Sequence, residues 1–505
     1  MDWSGIHFYA DANTECQTDE RMRRFNEIYY DVNGALNALL SEPNLFLISG
    51  NKGMGKTATL KKLECLANEP NSDLITLNFS LQKLNYNEFS AFINNHFSDN
   101  WRFYDTWLFL YHVFLARVFQ EISRNTNIRP PAELPLLLAD LRNNGLIEIC
   151  GSHALHVERI NLRASMVEVE SSINKINQWS TAVLNYYQDI LSRVNLRNKK
   201  LIVVLDGLDD FLKTHRPDDG FFWDMIRAAR DLNAYYLNNV RNGWIKFIIA
   251  IREDVIDGIN DSDSNKTFQD GLIRINWNKN SNHFFSKDIL GMLFKRFHKA
   301  GLINSETQME DFLKQYFCGN ASSLYYSFKA REIYNLTLNR PRDVLMLFES
   351  CKREYPYLDT LNDEQFNRVK KKYSRTHFMV EMKNELLYIL NKDIVANITR
   401  TIENLLLNNY ASSSTNGEFS KNLWKTTFLK ANTELSEQNA MDALEQLFSH
   451  GYVGAIIKTG QYYSNPYSNR NEQQYYEFIS EDQFLSFNQI DNFVFHYGIQ
   501  AGFNK

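Results

Sequence analysis

At 505 residues the chain has room for roughly two to four domains, and its 44% apolar content, with 35 Phe and 26 Tyr, excludes a disordered or fibrous protein. A net charge of −5 excludes a global basic field, so any contact with DNA or RNA would need a local patch. The five cysteines (Cys16, Cys65, Cys150, Cys318, Cys351) lack metal-ligand spacing, and the first residues lack a basic and then apolar leader; both point to a cytoplasmic location.

Residues 1–41 read as a helical lead-in, with helical periodicity from Arg21 to Leu40. The apolar run Leu45–Ile48 then reads as a strand, and Gly50-Asn51-Lys52-Gly53-Met54-Gly55-Lys56-Thr57 fits the G-x-x-x-x-G-K-[ST] pattern. Each residue type has a physical reason. Gly50, Gly53 and Gly55 let the backbone curl and point N–H groups at one phosphate chain. Lys56 brings a point charge to the β- and γ-phosphates, and Thr57 a hydroxyl to Mg²⁺. The helix from Ala58 aims its positive end at the same anion. The pattern thus names a nucleoside triphosphate with Mg²⁺ as ligand; no Asn-Lys-x-Asp run of the guanine-reading type occurs, which favours ATP over GTP.

Further strands are expected at Leu74–Phe79, Leu201–Leu205, Ile245–Ile251 and Leu272–Ile275, alternating with helices as in a parallel sheet. Asp206 closes the β-branched run before it, where open α/β sheets place ligand chemistry, and is a second candidate for Mg²⁺. Asp209 and Asp210 follow; either could orient or deprotonate an attacking water. Arg252 ends the strand at Ile251 and is a candidate for sensing the γ-phosphate or stabilising developing charge. The nucleotide-binding core is expected over 42–278. Lys56 and Asp206 lie 150 positions apart, which requires an insertion at about 80–195. That insertion holds a long aromatic helix at Trp101–Arg124, a hairpin within Ile147–Val169 and a helix at Ile173–Val194. Its apolar stretch Trp107–Phe119 is too short to span a bilayer, so no membrane contact is expected.

A helical lid is expected over 283–375. Within it Pro341 marks a helix start, and Arg342 in its first turn could reach the nucleotide. Arg368, Lys370, Lys371, Lys372 and Arg375 form the densest basic cluster, either a phosphate contact or a solvated helix face. Over 376–505 a helix at Glu385–Leu407, a loop at Ala411–Gly417, a helix at Asn439–His450 and strands at Val453–Thr459 and Tyr475–Ile479 describe a winged-helix-like module. Its wing, Gly460–Gln474, holds only Arg470 as a cation, which weakens a DNA reading.

The segments Gly50–Thr57, Leu205-Asp-Gly-Leu-Asp-Asp210, Ile251-Arg252, Arg340-Pro-Arg-Asp343, Tyr373-Ser374 and Phe493-Val-Phe-His-Tyr-Gly498 together resemble bacterial P-loop ATPases close to the STAND signal-transduction group, within the AAA-like division. The resemblance implies an ATP-binding switch with Asp206 on the metal, Asp209 and Asp210 as the acidic pair and Arg252 as sensor arginine. It also implies a role among bacterial stress or antiviral defence proteins. The pair ends Asp-Asp where the related pattern commonly ends Asp-Glu, which implies slow hydrolysis. Output through a protein partner or a homo-oligomer is one expectation. The alternatives are an ATP-dependent DNA-binding protein of the origin-recognition or transposition type, and a nucleotide-binding scaffold without turnover.

Overall fold

A computed structural model describes residues 3, 5–80, 103–125, 128–143, 181–208, 220–259, 261–277, 286–319, 323–409, 417–458, 474–477 and 487–503. The chain divides into two compact units, one of Asp11–Asn276 and one of Met1–Ala10 with Trp277–Lys505. The lead-in is therefore shared between them, its first ten residues belonging with the C-terminal half.

The first unit is built on a parallel sheet. Its strands are β1 (Leu47–Ser49), β2 (Leu74–Ser80), β3 (Asn195–Asp206), β4 (Arg241–Ile251) and β5 (Leu272–Arg274), in the spatial order β2-β3-β4-β1-β5. Leu201 to Leu205 are all buried, as a strand covered on both faces requires. Every strand expected from the sequence is present; β3 and β4 extend further toward their N-termini. The expected aromatic helix forms over Phe103–Asn125 and is core. Trp107, Tyr111, Phe114 and Phe119 are buried, Trp107 Nε1 donates to Phe221 O (3.1 Å), and Tyr111 OH donates to Met225 O (3.1 Å). Both acceptors lie on the Gly220–Asn239 helix, which packs on β4. The hairpin expected within 147–169 lies outside the described residues, and the helix at 173–194 is described as Thr181–Ser192.

One expected helix is broken. Arg21–Leu40 divides into Asp19–Ile28 and Ala35–Ser41, with Asn33 at φ 54° and Gly34 at φ 66° between them. Asp31 causes the break by accepting from Leu36 N (2.8 Å) and Asn37 N (3.2 Å), which starts a new helix.

In the second unit, helices run from Lys287–Lys299 to Asp363–Tyr373, and a π-helical turn at Ser374–Phe378 leads into Met379–Leu386. The single helix expected over Glu385–Leu407 is in fact the end of this helix and a separate one, Lys392–Asn409. The winged module follows, with β6 (Glu418–Ser420), helices Lys421–Ala431 and Glu437–Ser449, then β7 (Val453–Lys458), β8 (Gln474–Glu477) and β9 (Asn492–Phe495), paired antiparallel as β6-β9-β7-β8. The sheet has four strands where the sequence pattern suggested two. Gly451 stops the second helix at φ 76°.

A buried joint ties the lid helices to this module. Arg340 N-caps the Pro341–Glu354 helix and pairs with Glu385, whose other oxygen accepts from Tyr452 OH (2.7 Å). Asp343 accepts from Leu338 N (3.2 Å) and meets His377 (3.1 Å). Burial opposes ionisation of Asp343, but the His377 contact and the Arg340 charge outweigh it and hold the carboxyl below its usual value. His496, stacked on Phe378, is pushed down to about 3 by burial. A Cβ on Gly498 would lie 2.7 Å from Leu336 O, so only glycine lets the closing turn seat here. At the outer edge Trp3, buried completely, packs on Phe297, Tyr316 and Phe348. Arg296, Arg342 and Lys352 donate to the carbonyls of His7, Ala10 and Ile6.

Candidate nucleotide site at the strand tips

In an open parallel sheet, ligand chemistry collects at the C-terminal ends of the strands. The pairings Ser49↔Ile251 and Leu205↔Ile249 bring Gly50, Asp206 and Arg252 to that one edge. β4 lies between the loop strand and the Asp206 strand, so Arg252 is carried on the strand between the two.

The loop from Gly50 to Gly55 requires its glycines. Gly50, Gly53 and Gly55 take φ of 155°, 84° and 98°, and a Cβ on Gly50 would meet Ile275 O and Met54 Cβ, each at 3.3 Å. Gly55 is the N-cap of Lys56–Ala67, so the first helical N–H groups open onto the loop. Asn51 is exposed, Lys52 and Ala58 are half-buried, and Met54 is buried beneath the loop. Lys56 Nζ donates to Gly50 O (2.6 Å) and Asn51 O (3.3 Å), so its ammonium lies within the loop's curl.

Thr57 Oγ1 donates to Asp206 Oδ2 at 3.2 Å across 149 positions of sequence. Asp206 Oδ1 accepts from Gly207 N (2.7 Å), which fixes the carboxylate plane. A hydroxyl and a carboxylate this close, beside a phosphate cradle, suit a hard cation that keeps most of its water, as Mg²⁺ does. Asp209 and Asp210 lie outside the described residues.

Arg252 is buried and bidentate to Asp254, with Nε–Oδ1 at 2.8 Å and Nη2–Oδ2 at 2.7 Å. The fork fixes the guanidinium plane at the strand tip. Arg342 belongs to the other unit; besides Ala10 O (2.8 Å) it meets Glu381 (3.2 Å).

Sequence reasoning passed over three side chains at this edge. Ser49 Oγ donates to Glu253 Oε2 (2.6 Å), and Arg274 Nε to Glu253 Oε1 (2.6 Å), so one carboxylate spans the tips of β1, β4 and β5. The available signal was position, since each residue lies at or just past the end of a strand.

Four of the five cations of the 368–375 cluster are engaged within the protein. Arg368 pairs with Glu364 (2.7 Å), Lys370 with Glu332, and Lys372 with Glu354; Arg375 donates to Gly502 O (2.9 Å). In the winged module the second helix, Glu437–Ser449, carries Glu437, Asp442 and Glu445 and no Lys or Arg.

These features define an α/β protein with a P-loop NTPase core, a helical region and a winged-helix-like C-terminal module. No family model matches the sequence, and no curated protein does. Among solved structures the chain is similar to the Orc1 protein of Aeropyrum pernix in complex with DNA, at 11% identity and TM-score 0.36, over 95% of this chain and 93% of that one. It is similar to the Aeropyrum pernix Orc2 protein in its ADP form, at 12% identity and TM-score 0.34, over 86% and 90%. Cdc6p from Pyrobaculum aerophilum matches at 12% identity and TM-score 0.28, over 91% and 92%. Among the described residues no helix is long and apolar enough to cross a membrane.

Proposed function

We propose that the chain is an ATP-binding switch that hydrolyses ATP slowly and acts through a protein partner or copies of itself. The observation that carries this reading is the contact between Thr57 and Asp206 beside a glycine loop that holds the Lys56 ammonium. Lys56 would move from loop carbonyls to phosphate oxygens, a stronger charge-assisted contact. Thr57 and Asp206 would hold Mg²⁺, which neutralises phosphate charge when bound. Arg252, oriented by Asp254, would face charge developing on the transferred group. Asp209 or Asp210 would orient the attacking water. Arg342, held by Ala10 O and Glu381, would sense nucleotide from the helical region. A STAND-like position in bacterial defence is the finer form of the same proposal.

The test is ATP turnover by the parent chain, Lys56→Ala and Asp210→Asn, with and without duplex DNA. Turnover abolished by both substitutions is the expected result. Undiminished nucleotide affinity in Lys56→Ala would refute the phosphate assignment. DNA binding is the second reading, favoured by the winged-helix-like order of elements. The acidic Glu437–Ser449 helix and the paired 368–375 cations count against it. Affinity for duplex DNA falling steeply with salt would restore it.

A further inference from the structure

The short segment that ends the nucleotide unit is tied down at every residue, two of them through Ser49 just before the phosphate loop. Arg274 is tied to Ser49 through Glu253 (2.6 Å on each side). Ile275 N donates to Ser49 O (2.9 Å), and Ile275 O lies 3.3 Å from where a Gly50 Cβ would be. Asn276 O accepts from Asn33 Nδ2 (2.9 Å). The next residue, Trp277, begins the second unit. Ser49 is fully buried and immediately precedes the first loop glycine. A shift of Gly50 must therefore either carry Ile275 with it or break the Ser49–Ile275 bond.

We infer that Arg274–Asn276 is the element through which the phosphate loop acts on the second unit, and that Glu253 is the positioning residue that locks the two together. The inference rests on the proposed nucleotide site. A Ser hydroxyl on a carboxylate at 2.6 Å is a strong charge-assisted bond, and Arg274 fixes the other oxygen of the same carboxylate. With Glu253 in place, loop and exit segment have one shared geometry. Without it, the loop still has its glycines, Lys56 and Thr57, so it binds phosphate but drives the exit segment less.

The experiment is amide hydrogen exchange of the full chain with and without ATP and Mg²⁺, followed over residues 50–58 and over the Lys287–Lys299 helix. In the parent chain ATP should slow exchange in both places, by about fivefold or more in the helix. Glu253→Gln and Arg274→Ala should keep the loop protection while helix protection falls to within about twofold of the ATP-free rate. Arg274 is more than half exposed, so its replacement leaves folding intact. A residue with only a structural role would lower the melting temperature without separating the two responses. Helix protection that survives in both variants overturns the inference, as does a parent chain protected at the loop alone. If ATP protects nothing at 50–58 in the parent, the nucleotide assignment falls, and the inference falls with it.

Discussion

The strand-tip site and the buried joint of the second unit are both made from charged side chains, under opposite rules. At the tips, Lys56, Thr57 and Asp206 are half-buried, and their contacts include loop carbonyls, the Thr57–Asp206 hydroxyl–carboxylate bond and a backbone N–H. Such contacts exchange readily for phosphate oxygens or a hydrated cation. In the joint, Arg340, Asp343 and Glu385 are each less than 5% exposed and satisfied by one another and by Tyr452 and His377. Removing one partner there leaves a charge with nowhere to go. The first arrangement suits binding; the second fixes one arrangement of lid and winged module.

The sharpest way to break this contrast is Glu385→Ala. It should cost about 3–5 kcal/mol of stability in urea unfolding, because the Arg340 guanidinium stays buried and unpaired; a cost under about 1 kcal/mol would mean that the joint relaxes. Next comes Lys56→Ala, which should weaken ATP binding by about a hundredfold with little change in melting temperature. A melting temperature that falls as far as in Glu385→Ala would place Lys56 among the structural charges instead.

Acid sharpens the comparison further. His496 titrates at about 3 when folded and near 6.5 when unfolded, so the unfolded chain binds more protons between those values. Stability should therefore fall by roughly 1.4 kcal/mol for each pH unit below about 6.5, down to about 3. His112, lowered to about 4 by burial in the Phe103–Asn125 helix, adds the same sign in the nucleotide unit. Asp343 and Glu332, both held below their ordinary values, contribute stability above about pH 4 that disappears as pH drops further. Urea midpoints at pH 7, 5.5 and 4 measure the slope; a flat profile would contradict the buried neutral histidines. The smallest effect is expected from Lys372→Ala, which should leave duplex DNA affinity and its salt dependence unchanged, since Lys372 is engaged by Glu354.

The loop and the five strands of the nucleotide unit were legible because their signals are local. Gly50, Gly55, Lys56 and Thr57 sit within eight positions, and Asp206 closes a continuous apolar run rich in β-branched residues. The order β2-β3-β4-β1-β5 was not legible, since pairing between distant strands leaves no mark on either one. Arg252 was readable as a strand-tip cation, and its partner Asp254 is only two residues away. Glu253's tie to Ser49 spans 204 positions and was beyond reach. The ion pairs of the 368–375 cluster were beyond reach for a related reason. Glu332 and Glu354, which neutralise two of its lysines, come from earlier helices brought alongside only by folding.

The division of the first ten residues from the rest of the lead-in has a consequence for synthesis on the ribosome. Phe8 follows Trp3 at once, but three of its other ring partners, Phe297, Tyr316 and Phe348, are made about 300 residues later. At typical elongation rates this apolar segment waits roughly 15–60 s while the whole nucleotide unit emerges and folds. During that interval Trp3, Ile6 and Phe8, all buried in the folded protein, form an exposed apolar segment.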